Sequence, residues 1–102
     1  MSGEELRQLL LQKWGYSYDI QLRRVGAKVQ LQVMWRYVEQ LSFPLSESEY
    51  VQHLQSVAQH LCDWGADIKF RQFLQETKAR PRLGKPVVMV IDLGSRSSEW
   101  LL

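Results

Sequence analysis

The sequence predicts a small α+β domain, a three-stranded sheet with helices packed on one face in the order α-β-β-α-α-β. Three observations lead there. Residues 16–38 fold back on themselves about Gly26-Ala27 in one good register. Two stretches, behind Ser2 and Ser46, carry apolar residues at helical spacing. Val87–Leu93 is a run of β-branched and apolar residues bounded by Pro86 and Gly94.

Each element has its own signal. Ser2 followed by Glu5 reads as a capping box and opens a helix over 3–14, with Leu6, Leu9, Leu10 and Trp14 on its apolar side. Gly15 is its left-handed stop. A hairpin occupies 16–38, and Gly26 at the first turn position suits a type II′ loop. With that turn, Leu22 faces Leu31, Ile20 faces Val33, Tyr18 faces Trp35 and Tyr16 faces Tyr37 on a dry side. The wet side pairs Arg23 with Gln30, Gln21 with Gln32, Asp19 with Met34 and Ser17 with Arg36. A slip of one residue would turn every apolar group to water.

Phe43-Pro44 marks the exit loop. Ser46 with Glu49 then opens a second helix over 47–64, striped by Tyr50, Val51, Leu54, Val57, Ala58, Leu61 and Cys62 and ended by Gly65. Cys62, at the stripe's margin, is expected to be a small buried hydrophobe. Residues 67–79 fit a strand through Ile68, Phe70 and Leu74, or a helix through Phe70, Phe73, Leu74 and Thr77. The helix formers over Gln72–Ala79 favour a helix, which Pro81 stops. A basic loop over 80–86, a strand over 87–93 and a tail over 94–102 complete the chain. The apolar end of that tail, Trp100-Leu101-Leu102, has two possible docking places, the protein's own helix layer, which is favoured, or a groove on a partner.

Composition bounds the function. A chain of 102 residues is one domain by size, and 45% hydrophobic with 24% charged residues is ordinary globular usage. The formal net charge of +2 does not by itself imply nucleic acid. The single Cys62 cannot make an internal disulfide and fits a reducing compartment. The acidic start Met-Ser-Gly-Glu-Glu lacks the basic and apolar regions of a signal peptide, and no apolar run approaches a membrane span. A cytoplasmic setting is the expectation.

Catalytic and metal readings find little support. Ser56, His60 and Asp63 share one helix face, but side chains from one straight helix run side by side rather than converge. His53 and His60 lie two turns apart, about 10 Å along the axis, too far for one metal shell. No paired-carboxylate or CxxC pattern occurs. Gly94–Ser98 lacks the second glycine and lysine of a phosphate loop. No catalytic residue, metal or cofactor is expected.

The best candidate is the basic stretch Lys78, Arg80, Arg82 and Lys85, four cations within eight residues and held by Pro81, Gly84 and Pro86. Residues 66–86 hold six cations against Asp67 and Glu76. The wet hairpin face adds Arg23, Met34 and Arg36, beside alternate residues of the third strand. These residues suit contact with an acidic protein. An RNA or phosphate ligand on Lys78–Lys85 is the alternative, disfavoured because no aromatic residue is interleaved with the cations. A monomer or weak dimer is expected.

Taken together, "GEELRQLLLQKWG", "YDIQLRR", "LQVMWRYVEQLSFPLSESEY" and "RPRLGKPVVMVIDLG…SEWLL" resemble a small family of unknown function, domain-of-unknown-function family 3067. The resemblance covers nearly the whole chain. It implies a photosynthetic lineage, cyanobacterial with longer plastid relatives, and a cytosolic or stromal setting. It implies no catalytic residues.

Overall fold

The hairpin turn sets the sheet. Gly26 takes φ 62° while Ala27 stays at negative φ, the combination of a type II′ rather than a type I′ loop. A computed structural model describes residues 1–93. From the turn run β1 (Tyr18–Val25) and β2 (Lys28–Tyr37), and β3 (Val87–Asp92) adds antiparallel to β2, giving the order β1-β2-β3. Three helices are described: α1 (Gly3–Trp14), α2 (Glu47–Asp63) and α3 (Asp67–Glu76). The chain is therefore an α+β domain of order α-β-β-α-α-β. The tail beyond Leu93, with Trp100-Leu101-Leu102 and the Gly94–Ser98 segment, lies outside the described residues.

Near the turn the expected register holds: Ile20 pairs with Val33, Gln21 with Gln32, Leu22 with Leu31 and Arg23 with Gln30. Beyond Ile20 it does not. Tyr18 pairs with Tyr37 instead of Trp35, because two more residues lie on β2 than on β1 between these pairs. Asp19 alone thus faces Met34–Arg36, so the expected Asp19–Met34, Ser17–Arg36 and Tyr16–Tyr37 pairs are displaced too. Ser17 is joined to Val38 by a backbone bond of 3.1 Å, and its N–H donates to the Glu39 carboxylate at 2.7 Å. An even number of extra residues keeps the facing of side chains, so Tyr37 still meets Tyr18, edge to face at 5.6 Å. Trp35, released from the ladder, is half-buried.

The core lies between the dry side of the sheet and the helices. Ile20, Val29, Leu31 and Val33 meet Leu6 and Leu10 of α1, Tyr50, Leu54, Val57 and Leu61 of α2, and Phe70 and Leu74 of α3. Burial of each such side chain contributes about 1.5–3 kcal/mol before ordering costs. β3 seats Val87, Met89 and Ile91 inward and leaves Val88 and Val90 exposed on the open side, next to Gln32 and Gln30. Two polar links, one buried and one partly buried, fasten α2 to the edge of β1. The Tyr50 hydroxyl donates to the Tyr18 carbonyl at 2.6 Å, and His53 Nε2 donates to the Ile20 carbonyl at 2.6 Å.

Three local expectations change. Only half of the Ser2 capping box forms: Ser2 Oγ accepts from the Glu5 N–H, while the Glu5 carboxylate is drawn to Arg71 at 3.1 Å. The Ser46–Glu49 box is complete. Cys62 is exposed rather than buried, because the buried stripe of α2 runs out at Leu61; the Met1 nitrogen lies 3.5 Å from its sulfur. Finally, α3 ends at Glu76 and not at Ala79. Thr77 is already extended (ψ 138°), and the carbonyl of that β-branched residue is held by Lys13 of α1 instead of continuing the helix.

Candidate functional site

The basic segment leaves α3, crosses the end of α1, turns and enters β3. Two side chains of α1 fix its path. Lys13 Nζ donates to the Thr77 carbonyl at 2.7 Å, and the Trp14 indole N–H donates to the Ala79 carbonyl at 3.2 Å. Pro81 is buried, anchoring the middle of the segment. Arg82 and Lys85 then exchange two backbone bonds, 3.1 and 2.7 Å, around Leu83-Gly84. Gly84 supplies the positive φ of 75° that the third position of a type II turn requires.

This path divides the four predicted cations into two pairs. Arg82 and Lys85 flank a tip whose Leu83 is 86% exposed. Lys78 and Arg80 instead turn toward α1, where with Lys13, Trp14, Thr77 and Ala79 they line a shallow cavity of about 290 Å³. Arg80 also lies beside the Tyr18 hydroxyl. Burial raises the Tyr18 pKa above its ordinary value, and the Arg80 guanidinium partly offsets the rise. Tyr18 belongs to an aromatic row: Trp14 at 5.9 Å, Tyr16 at 5.9 Å and Tyr37 at 5.6 Å, with Tyr16 and Tyr37 4.5 Å apart.

The sheet candidates stand at the two ends of the sheet. Val87 pairs with Val33, so the basic loop reaches the sheet at the end that holds the Met34–Arg36 bulge. Met34 is half-buried and Arg36 exposed there. Arg23 stands at the other end, two pairs from the Gly26-Ala27 turn, exposed across from Gln30.

Lys13 and Trp14 were not legible as site residues. Their only sequence signal is a cation and an aromatic ring at a helix end before Gly15. No spacing rule links them to a loop more than sixty residues away. The aromatic residues missing among the loop's own cations are supplied from α1 and the start of β1. Elsewhere, His60 Nδ1 donates to the Ser56 carbonyl at 2.8 Å rather than meeting its hydroxyl, and Asp63 accepts from Gln59 at 2.9 Å. Among the described residues no group of three His, Cys, Asp or Glu could hold a metal ion, and no helix is long and apolar enough to cross a membrane.

Comparison with known proteins gives a lineage. The model of a family described as a domain of unknown function, DUF3067, matches residues 4–101. No curated protein matches the chain. The solution NMR structure of the Alr2454 protein from Nostoc sp. strain PCC 7120, a structural-genomics target, is similar at 57% identity, covering 100% of this chain and 98% of that one with a TM-score of 0.87. A continuous match of this extent, with the same fold in a cyanobacterial relative, shows that the chain belongs to the DUF3067 family.

Proposed function

We propose that the chain is a non-catalytic binding module that docks on an acidic surface of a partner protein through the tip of its basic loop. One observation carries this reading: Leu83, 86% exposed, stands between Arg82 and Lys85 on a turn closed by two backbone bonds. An apolar side chain held in water costs free energy that a partner's pocket would recover, and the flanking cations steer it to negative charge. The open side of the sheet extends the contact with Val88 and Val90, 40% and 55% exposed, and with Arg23. The bulge residues Met34 and Arg36 add an edge near the loop. We place the protein in the cytoplasm, or the stroma for plastid relatives, as a monomer or weak dimer.

The test is capture from a photosynthetic extract, with and without nuclease. Replacing Leu83→Ser with Arg82→Gln should abolish capture while changing stability by no more than about 0.5 kcal/mol per exposed site. Undiminished capture by the double variant overturns the reading. A second reading, an RNA or phosphate ligand, has its own support. Lys78 and Arg80 stand with Lys13 and Trp14 around one cavity, away from the tip.

A further inference from the structure

We propose that the corner between the C-terminal ends of α1 and α3 binds a nucleoside phosphate, with the phosphate on Lys13, Lys78 and Arg80 and the base against Tyr16. The inference rests on the second reading above and uses none of the tip residues.

The cavity there, about 290 Å³, lies near the lower end of the range for small-ligand sites and suits one nucleotide rather than a larger cofactor. Three of its six lining residues are cations, and none is a carboxylate. Two helices end at this corner, and exposed terminal carbonyls would repel an anion. Two carbonyls of lining residues are already taken, however: that of Thr77 by Lys13 and that of Ala79 by Trp14. Lys13 is thus the cation that answers the helix end. Lys78 and Arg80 lie past it, and neither forms an ion pair with a carboxylate among the described residues.

Donors remain for a phosphate. The Lys13 ammonium uses one of its three N–H groups on Thr77. The Thr77 hydroxyl oxygen accepts from the Ala79 N–H at 3.3 Å, which leaves its O–H to donate into the cavity. Arg80 lines the same cavity and brings a planar fork that can meet an oxyanion with two parallel N–H groups.

The base has a platform. Tyr16 is 40% exposed, and its ring is braced by Tyr37 at 4.5 Å and Tyr18 at 5.9 Å. Tyr18 links this ring to the cavity, touching Tyr16 on one side and the lining residue Trp14 on the other, and a stacking surface joined to a phosphate anchor is the pairing used to hold nucleotides without reading their sequence.

The experiment follows the Trp14 indole and the Lys78–Arg80 amide N–H signals by NMR during titration with AMP, adenosine, inorganic phosphate and an oligoadenylate octamer. AMP should shift these signals saturably with a Kd below about 1 mM, and adenosine and phosphate alone should bind at least about tenfold more weakly. Lys78→Gln with Arg80→Gln should raise the AMP Kd at least about tenfold, whereas the tip variant L83S/R82Q should leave it unchanged. Should the first pair fail to fold, Tyr16→Leu, at an exposed ring, should remove the preference for AMP over ribose phosphate. An octamer that binds more tightly than AMP and weakens steeply with salt identifies an RNA strand as the source of the nucleotide; equal affinities identify the free nucleotide. Either result upholds the site. No saturable shift up to about 10 mM AMP, equal affinity for AMP and phosphate, or binding that survives loss of Lys78 and Arg80 overturns it.

Discussion

Gly3 shows how much one residue's missing side chain can decide. A Cβ there would sit 2.7 Å from the Gln55 backbone nitrogen and 2.9 Å from the Val51 carbonyl oxygen, so α1 and α2 touch backbone to backbone. The Gly3 N–H also donates to Gln55 Oε1 at 2.8 Å. Because both obstructing atoms are main chain of a buried helix, they cannot swing aside. Helix propensity alone would favour alanine by about 1 kcal/mol, so a loss of stability isolates the clash. Gly3→Ala should cost about 1–3 kcal/mol overall, lowering the thermal midpoint by about 4–8 °C per kcal/mol for a domain of this size. An unchanged or raised midpoint would show that α1 can shift along α2. Nothing in the sequence marks this glycine apart from others, since its role depends on a helix about fifty residues away.

At the scale of elements, what was legible depended on whether the signal was local. The register from Ile20 to Arg23 follows from alternation and a two-residue turn, both within one short segment. The bulge at Met34–Arg36 left no trace, because no glycine or proline marks it and the parity of side chains survives it. Its cause is tertiary: Ser17, Val38 and Glu39 bond to one another in the shifted register. The same reasoning about parity makes a prediction for β3. Val29, Leu31 and Val33 of β2 pair with Ile91, Met89 and Val87, and the Leu93 N–H donates to the Ala27 carbonyl. Odd-numbered residues of β3 therefore bond to β2, while the N–H groups of Val88 and Val90 point to the outer edge. Amide exchange at Met89 and Ile91 should be slower than at Val88 and Val90 by at least about tenfold, as an opening cost of more than 1.4 kcal/mol implies. Uniform protection along the strand would mean that the outer edge is covered by something beyond the described residues.

For the molecule as a whole, the four loop cations were visible as a run, but their division between a tip and a corner was not. That division comes from Lys13 and Trp14, whose bonds to Thr77 and Ala79 close the structure across more than sixty residues. Similar closure at the β1 edge makes the fold lose stability at alkaline pH. The Tyr50 hydroxyl is fully buried and donates to the Tyr18 carbonyl. Burial, reinforced by Asp19 and Glu39 and opposed by Arg7, holds its pKa well above the ordinary tyrosine value; Tyr18 is raised as well. In the unfolded chain both phenols ionise near pH 10. Because the folded pKa is the higher one, the unfolded state loses protons first as pH rises, and the native state is progressively disfavoured. Their contribution is complete below about pH 10 and declines above it, by at most about 1.4 kcal/mol per pH unit for each tyrosine. Tyr50→Phe should lower stability at neutral pH by about 0.5–1.5 kcal/mol through loss of the hydrogen bond. It should also make the alkaline decline shallower, leaving the share that belongs to Tyr18. Denaturant unfolding of both proteins at several pH values from neutral to about 11.5 measures the difference in slope. Parallel curves above pH 10 would show that Tyr50 ionises as easily in the folded protein as in the unfolded one, and that the α2–β1 junction admits water.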